Sequence, residues 1–224
     1  MRSDYDEIFV EKITPFRGSS PFDGEVYRAW RDARLKFLSQ VFPQLNGDES
    51  NRLSVIEFGA GFGAVGIELS KKVSLVAMCE GRAENFEEMK ARIARNPRIS
   101  AHLLDNDSDW GDFAQTDEYD LAIHWGLLYH LKNWRRDLAL ACRCARHLCL
   151  ETEVLDSVDP NAEIWRHELG ADQALHGVGT VPSWGAIEQV LKEEGMSFER
   201  HDSCLLYTSP SPRDYAASRM PSSA

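Results

Sequence analysis

The sequence predicts an α/β fold in which a mostly parallel sheet carries helices on both faces. Three observations predict it. Short apolar runs alternate with longer amphipathic stretches along the chain. A glycine cluster, Gly59-Ala60-Gly61-Phe62-Gly63 with Gly66 close behind, directly follows the first apolar run. The polar residues with chemical capacity recur where the apolar runs stop, and sheets of this kind bind ligands at the carboxyl ends of their strands.

The elements follow in order. Residues 24–42 (GEVYRAWRDARLKFLSQVF) read as an amphipathic helix, with Trp30, Leu35, Phe37, Leu38 and Phe42 at near-helical spacing. That helix belongs to a helical lead-in over residues 1–45. LSVIEF (53–58) is a buried strand running into the glycines, and residues 63–72 suit a helix. VSLVAMCE (73–80) is a second strand, followed by a helix over 82–95 that Pro97 punctuates. ISAHLL (99–104) is a third strand, and the polar stretch from Asp105 to Glu118 is a loop. YDLAIHW (119–125) is a fourth strand; a helix then starts near Asn133, a residue type that caps helices. HLCLETEVL (147–155) is a fifth strand. Residues 156–180 have weak periodicity and read as an insertion over the site. Ser183 caps a helix running to about Glu194, and MSFERHD (196–202) is a sixth strand. Residues 1–203 thus form one domain. Residues 204–224 lose all apolar period, and their run CLLYTSPSPRD resembles a translated sequencing adapter. They are set aside as a non-native or disordered tail.

Composition narrows the function. A chain of 224 residues with 43% hydrophobic content can bury a real core. Its net charge is −11, with Arg135, Arg136, Arg143 and Arg146 as the one basic cluster. Non-specific nucleic-acid binding needs clustered cations, so the balance argues for a small-molecule partner over a nucleic acid. No stretch approaches the roughly 18 apolar residues of a membrane span, and the N-terminus lacks the pattern of a signal peptide. The five cysteines show no disulfide spacing, which suits a cytoplasmic setting. Cys142, Cys144, Cys149 and His147 are too irregularly spaced for zinc, so no metal is expected.

The glycine loop admits two readings. Gly61-x-Gly63-x-x-Gly66 fits a dinucleotide fingerprint. Glu57, two residues before the first glycine, favours a cationic ligand, because its carboxylate would oppose a pyrophosphate. With Glu57 included, the motif is acidic-x-Gly-x-Gly-x-Gly and resembles the first motif of class I S-adenosylmethionine (SAM) dependent methyltransferases. The resemblance covers roughly residues 50–200 and implies a Rossmann-like methyltransferase three-layer sandwich, here lacking strand seven and exposing a sheet edge. It implies that Glu57, Gly59, Gly61 and Gly63 form the cofactor loop. Glu80, at the end of strand two, would hold both ribose hydroxyls, and either Asp105 or Asn106 would meet the adenine amino group. Gly126-Leu127-Leu128-Tyr129-His130-Leu131 resembles the segment after strand four, Gly-x-Leu-Tyr-His-Leu, which lines the methyl-transfer pocket in that family.

His124 and Trp125 end the fourth strand and join the cofactor-side set. His124 is the first candidate for a catalytic base, the alternative being a hydrogen bond to backbone. Tyr129 is a second catalytic candidate as a pocket wall; His130 is expected to pack under the next helix, and Trp125 to stack on the substrate or wall the pocket. The Asn/Asp-Pro-Pro-aromatic signature of amino-directed enzymes and the Pro-Cys nucleophile of cytosine enzymes are both missing. The expected reaction is methyl transfer from SAM to an oxygen of a small molecule or sugar. Glu151-Thr152-Glu153 and Val181-Pro182-Ser183 resemble, in part, a subgroup containing tRNA wobble-uridine enzymes. A tRNA-modifying enzyme is therefore one alternative, with a NAD-dependent oxidoreductase and a non-catalytic partner subunit as others.

Overall fold

The computed structural model describes residue 22 and residues 24–46, 53–93, 95–108, 110, 119–170 and 172–200. The suspected tail lies outside them, as do residues 1–21 and 23 of the N-terminal lead-in. Helix α1 spans Glu25–Asn46, β1 Ser54–Phe58, α2 Ala64–Leu69, β2 Leu75–Glu80 and α3 Ala83–Ile93. Strand β3 follows at Ile99–Leu103, β4 at Tyr119–Trp125, α4 at Trp134–Cys144 and β5 at Ala145–Glu151. The described chain ends with β6 (Glu163–His167), β7 (Val178–Pro182) and α5 (Trp184–Glu193).

Five strands pair in parallel in the order β3-β2-β1-β4-β5, as the apolar runs predict. Continuous apolar strands are the mark of a sheet covered on both faces. Residues of alternate parity face opposite layers. Val55, Leu121, Ile123 and Trp125 share one core with Leu38 and Phe42 of α1, Leu69 of α2 and Met89 of α3. Ile56, Phe58 and Ala122 share the other with Ala141 and Cys144 of α4, and α4 packs in turn on α5 through Leu138, Ile187 and Val190. The chain leaves β1 toward β2 on one side and reaches β4 on the other, so the crevice between the ends of β1 and β4 is the topological switch point.

Three local expectations change. First, residues 196–200 form no strand, and 201–202 lie outside the described residues. The segment instead covers α5, with Phe198 edge-on to the Trp184 ring at 5.9 Å and Arg200 over the same ring. Among the described residues, the outer edge of β5 has no strand partner. Second, residues 156–180 hold structure of their own, for β6 and β7 pair antiparallel in a separate two-stranded sheet. An isolated parallel bridge joins the flanking residues Leu155 and Ser183, and side chains tie the hairpin to the domain, Arg166 to Glu153 and Trp134 to Glu163 among them. Third, Asn133 sits at the N-cap position of α4 without capping it. Its backbone N–H and its amide both donate to Asp107, at 2.7 and 2.9 Å. Ser183 does cap α5, accepting from the N–H of Ala186. No helix among the described residues is long and apolar enough to cross a membrane.

Candidate active site

The glycine loop turns sharply off β1. Gly59, Gly61 and Gly63 take φ of 65, 56 and 78°, a left-handed backbone that side chains disfavour. Gly66, one turn into α2, is needed for packing: a Cβ there would collide with the sulfur of Met78 on β2. The last glycine of the apparent dinucleotide fingerprint is therefore explained by helix–strand contact, whichever ligand binds.

Glu57 lines the cavity above this loop. Its side chain is buried, burial pushes its carboxyl up to about 8, and Oε2 has no hydrogen-bond partner among the described residues. A buried acid with an unfilled oxygen is poised for a cation, which would restore the charge that burial opposes. Glu80 ties the loops together. Its Oε2 accepts from the N–H of Gly61 at 2.8 Å and its Oε1 from the N–H of Arg82 at 2.8 Å. Burial raises its pKa, and these bonds oppose the rise. The Asn85 amide also donates to Oε1, at 3.4 Å; of the roughly four lone-pair sites of a carboxylate, one on Oε2 therefore remains for a ligand hydroxyl. A glycine turn at the strand end, an acid with one unpaired oxygen and an anchored carboxylate fit SAM, whose ammonium, sulfonium and ribose ask for such partners.

Asp105 and Asn106, after β3, both line the cavity. Asp105 accepts from the Nε2 of His176 at 2.8 Å. Asn106 donates from its amide to the buried Asp137 at 2.6 Å. Trp125 and Tyr129 line the cavity as expected, and burial raises the pKa of the Tyr129 phenol.

His124 does not reach the cavity. It lies one residue out of phase with Ile123 and Trp125, so its ring points into the opposite layer, fully buried against Phe58. Its Nε2 is 2.6 Å from Oδ2 of Asp137, itself fully buried in α4. The candidate base is thus placed in the core, apart from the residues that line the cavity. His130 departs from expectation in the other direction: it lines the cavity and pairs through Nδ1 with Glu168.

The acceptor side comes from residues whose roles sequence reading missed. Residues 168–170 and 172–177, between β6 and β7 and within the stretch read from sequence as an insertion over the site, lie over the crevice. Asp172 accepts from the Tyr27 hydroxyl at 2.9 Å, and the carbonyl of Gln173 accepts from Arg82 at 3.2 Å. Burial beside Asp172 raises the Tyr27 pKa. Arg34 of α1 grips Glu151 at the end of β5 through two bonds of 2.6 and 3.1 Å, with its guanidinium 5.7 Å from the Trp125 ring centre. Tyr27, Trp30 and Arg34 recur on one stripe of α1, and all three line the cavity. That polar and aromatic stripe was visible in the sequence, though its partners were not. The enclosed space is about 180 Å³.

A family model described as lysine methyltransferase matches residues 24–141. No curated protein matches the chain. Among solved structures, the N-terminal domain of EvdMO1, crystallised in the presence of SAH (S-adenosylhomocysteine) and D-fucose, has a TM-score of 0.63 at 19% identity, covering 86% of this chain and 87% of that one. A SAM-dependent methyltransferase from Mesorhizobium loti has 0.54 at 17% identity, covering 79% and 88%. Magnesium protoporphyrin IX methyltransferase from Synechocystis PCC 6803, with bound SAM, has 0.52 at 15% identity, covering 89% and 90%. At these identities the likeness is one of fold.

Proposed function

Because the chain belongs to the lysine methyltransferase family and is a SAM-dependent methyltransferase, we propose that its acceptor is a hydroxyl oxygen on a small polar molecule, a sugar being the model case. The observation that carries this reading is the roof. Residues 168–170 and 172–177 lie over the crevice, where Asp172 and Gln173 set hydrogen-bonding groups beside the rings of Tyr27 and Trp30 of α1 and Trp125 of β4. A roofed crevice suits a molecule that enters whole, and a sugar offers hydroxyls for the first kind of group and an apolar face for the second. The family match ends at residue 141, before β5, β6, β7 and the roof. The roof therefore lies outside the matched region, while Tyr27, Trp30 and Trp125 lie inside it, so the match covers the acceptor side only in part. EvdMO1, crystallised with a sugar present, shares the fold.

SAM supplies an already activated methyl group when bound. The chain's own residues do the rest. Glu57 offers a negative charge, Glu80 orients a cofactor hydroxyl, and α1 with the roof excludes water and positions the acceptor.

The test is a methyl-transfer assay with labelled SAM against a sugar panel led by D-fucose, run beside lysine peptides. An alkali-stable methyl ether on a sugar supports the proposal. Methyl-lysine with untouched sugars would overturn it in favour of the amine reading that the family's description suggests.

A further inference from the structure

A hydroxyl acceptor needs a group to take its proton, and His124 faces away from the cavity. We propose that His130 is that group and that Glu168 is its positioning residue; the inference rests on the hydroxyl-acceptor reading. His130 ends the 3₁₀ turn Leu128–His130 after β4 and lines the cavity. Its Nδ1 meets Oε2 of Glu168, and the same oxygen accepts from the N–H of Ala174 at 3.1 Å. Glu168 is buried, with 3% of its surface exposed, so both contacts are shielded from water.

An ionised carboxylate has no proton to donate, so Nδ1 must carry the hydrogen of this bond. In the neutral ring, the lone pair then sits on Nε2. The supporting frame is tight. A Cβ on Gly179 of β7 would come within 3.0 Å of the Cα of His130, so the hairpin that supplies Glu168 is pressed against the backbone of the turn. The roof that closes the site thereby also sets the tautomer of the ring beneath it.

The step balances. Nε2 takes the acceptor's O–H proton as the acceptor oxygen forms its bond to the methyl carbon. The carbon–sulfur bond breaks and its electron pair stays on sulfur, giving the neutral thioether. The positive charge that leaves sulfur reappears on the imidazolium, where Glu168 offsets it.

The experiment uses the full chain with SAH bound. Diethylpyrocarbonate modification is followed residue by residue by mass spectrometry, in wild type, Glu168→Gln and Glu168→Asp. Thermal melting and SAH affinity check each variant's fold. His130 should react in wild type. Its rate should fall about tenfold in Glu168→Gln, where the carboxylate that makes Nε2 nucleophilic is gone. Much of that rate should return in Glu168→Asp, while His176, paired with Asp105, keeps its rate throughout. A second readout is turnover with D-fucose: His130→Gln should lower kcat by roughly a hundredfold or more with SAH affinity intact. An unreactive His130, or one that reacts equally fast in wild type and Glu168→Gln, overturns the assignment even if a good acceptor is found. SAH binding with no transfer to any hydroxyl probe instead overturns the acceptor reading, whatever His130 does.

Discussion

Replacing Glu80 by alanine should weaken SAH binding by ten- to a hundredfold. Glu80 is 8% exposed, so solvent screens its bonds little. Each oxygen already accepts one backbone amide, from Gly61 and from Arg82. The Asn85 amide takes a third site, on Oε1 at 3.4 Å, so one lone pair on Oε2 is free to accept a ribose hydroxyl, and a hydrogen bond to a charged group contributes about 1.5–3 kcal/mol. Part of that is offset by removing the carboxylate from water. A net loss of about 1.4–2.7 kcal/mol corresponds to the stated range. Glu80→Gln keeps one acceptor oxygen and should lose about tenfold or less. The assay is calorimetric titration of SAH, with thermal melting alongside. Glu80→Ala also leaves the amides of Gly61 and Arg82 without their acceptor, so its stability should drop by about 1–3 kcal/mol. A folded Glu80→Ala protein that binds SAH as wild type does would refute the reasoning, because among the described residues no other side chain accepts from the amides of both loops.

Other perturbations test the remaining groups. Burial pushes Glu57 up to about 8, well above the ordinary carboxylate range, so the folded state holds its proton more tightly than the unfolded chain. Ligand-free stability should therefore fall as pH rises from about 4.5 to about 8, and Glu57→Gln should flatten that dependence in melting curves across the range. The same acid should release a proton when the cation of SAH arrives; titrations near pH 7 in buffers of different ionisation enthalpy should detect this in wild type and lose it in Glu57→Gln. His124→Ala strands the buried Asp137 and should cost about 3–5 kcal/mol in denaturant unfolding; wild-type stability with a slower reaction would return His124 to the active site. Arg34 and Glu151 should couple by about 1–3 kcal/mol in a double-mutant cycle on unfolding, and additive single effects would show that the pair does not pin α1 to the strand ends.

Most of the fold was legible because a parallel sheet writes itself as apolar runs. The five sheet strands agree with their predicted runs to within a few residues, since burial on both faces leaves little else they could be. The sixth run failed because MSFERHD holds only two large apolar residues, Met196, which packs on the α4–α5 core, and Phe198, which Trp184 of α5 claims. The hairpin was missed for a related reason. Strand β6 is half exposed, with Ile164 and Trp165 both turned largely to solvent, so neither a clean alternation nor a continuous apolar run marks it. His124 shows a limit of another kind. A period of two separates Ile123 and Trp125 from His124, but in a strand covered on both sides sequence does not say which parity meets the ligand.

The two halves of the site differ in legibility because they are built at different sequence ranges. On the cofactor side the contacts are short-range: Glu80 reaches Gly61 across 19 residues and Arg82 across two. Such a cradle leaves a motif, because glycines and acids must fall at strand ends. On the acceptor side Tyr27 meets Asp172 across 145 residues, Arg34 meets Glu151 across 117 and His130 meets Glu168 across 38. Each partner alone is an ordinary polar residue, and only the roof gives it a role. The same division governs what a family match can carry. A match over residues 24–141 brings the cradle and its cofactor with it, while Glu151, Glu168 and Asp172 all lie beyond it. A change in the roof could therefore alter the acceptor and leave the cradle untouched. A chimera with residues 156–182 exchanged for those of a relative puts this to the test: SAH affinity should stay within a few-fold while the preferred acceptor changes.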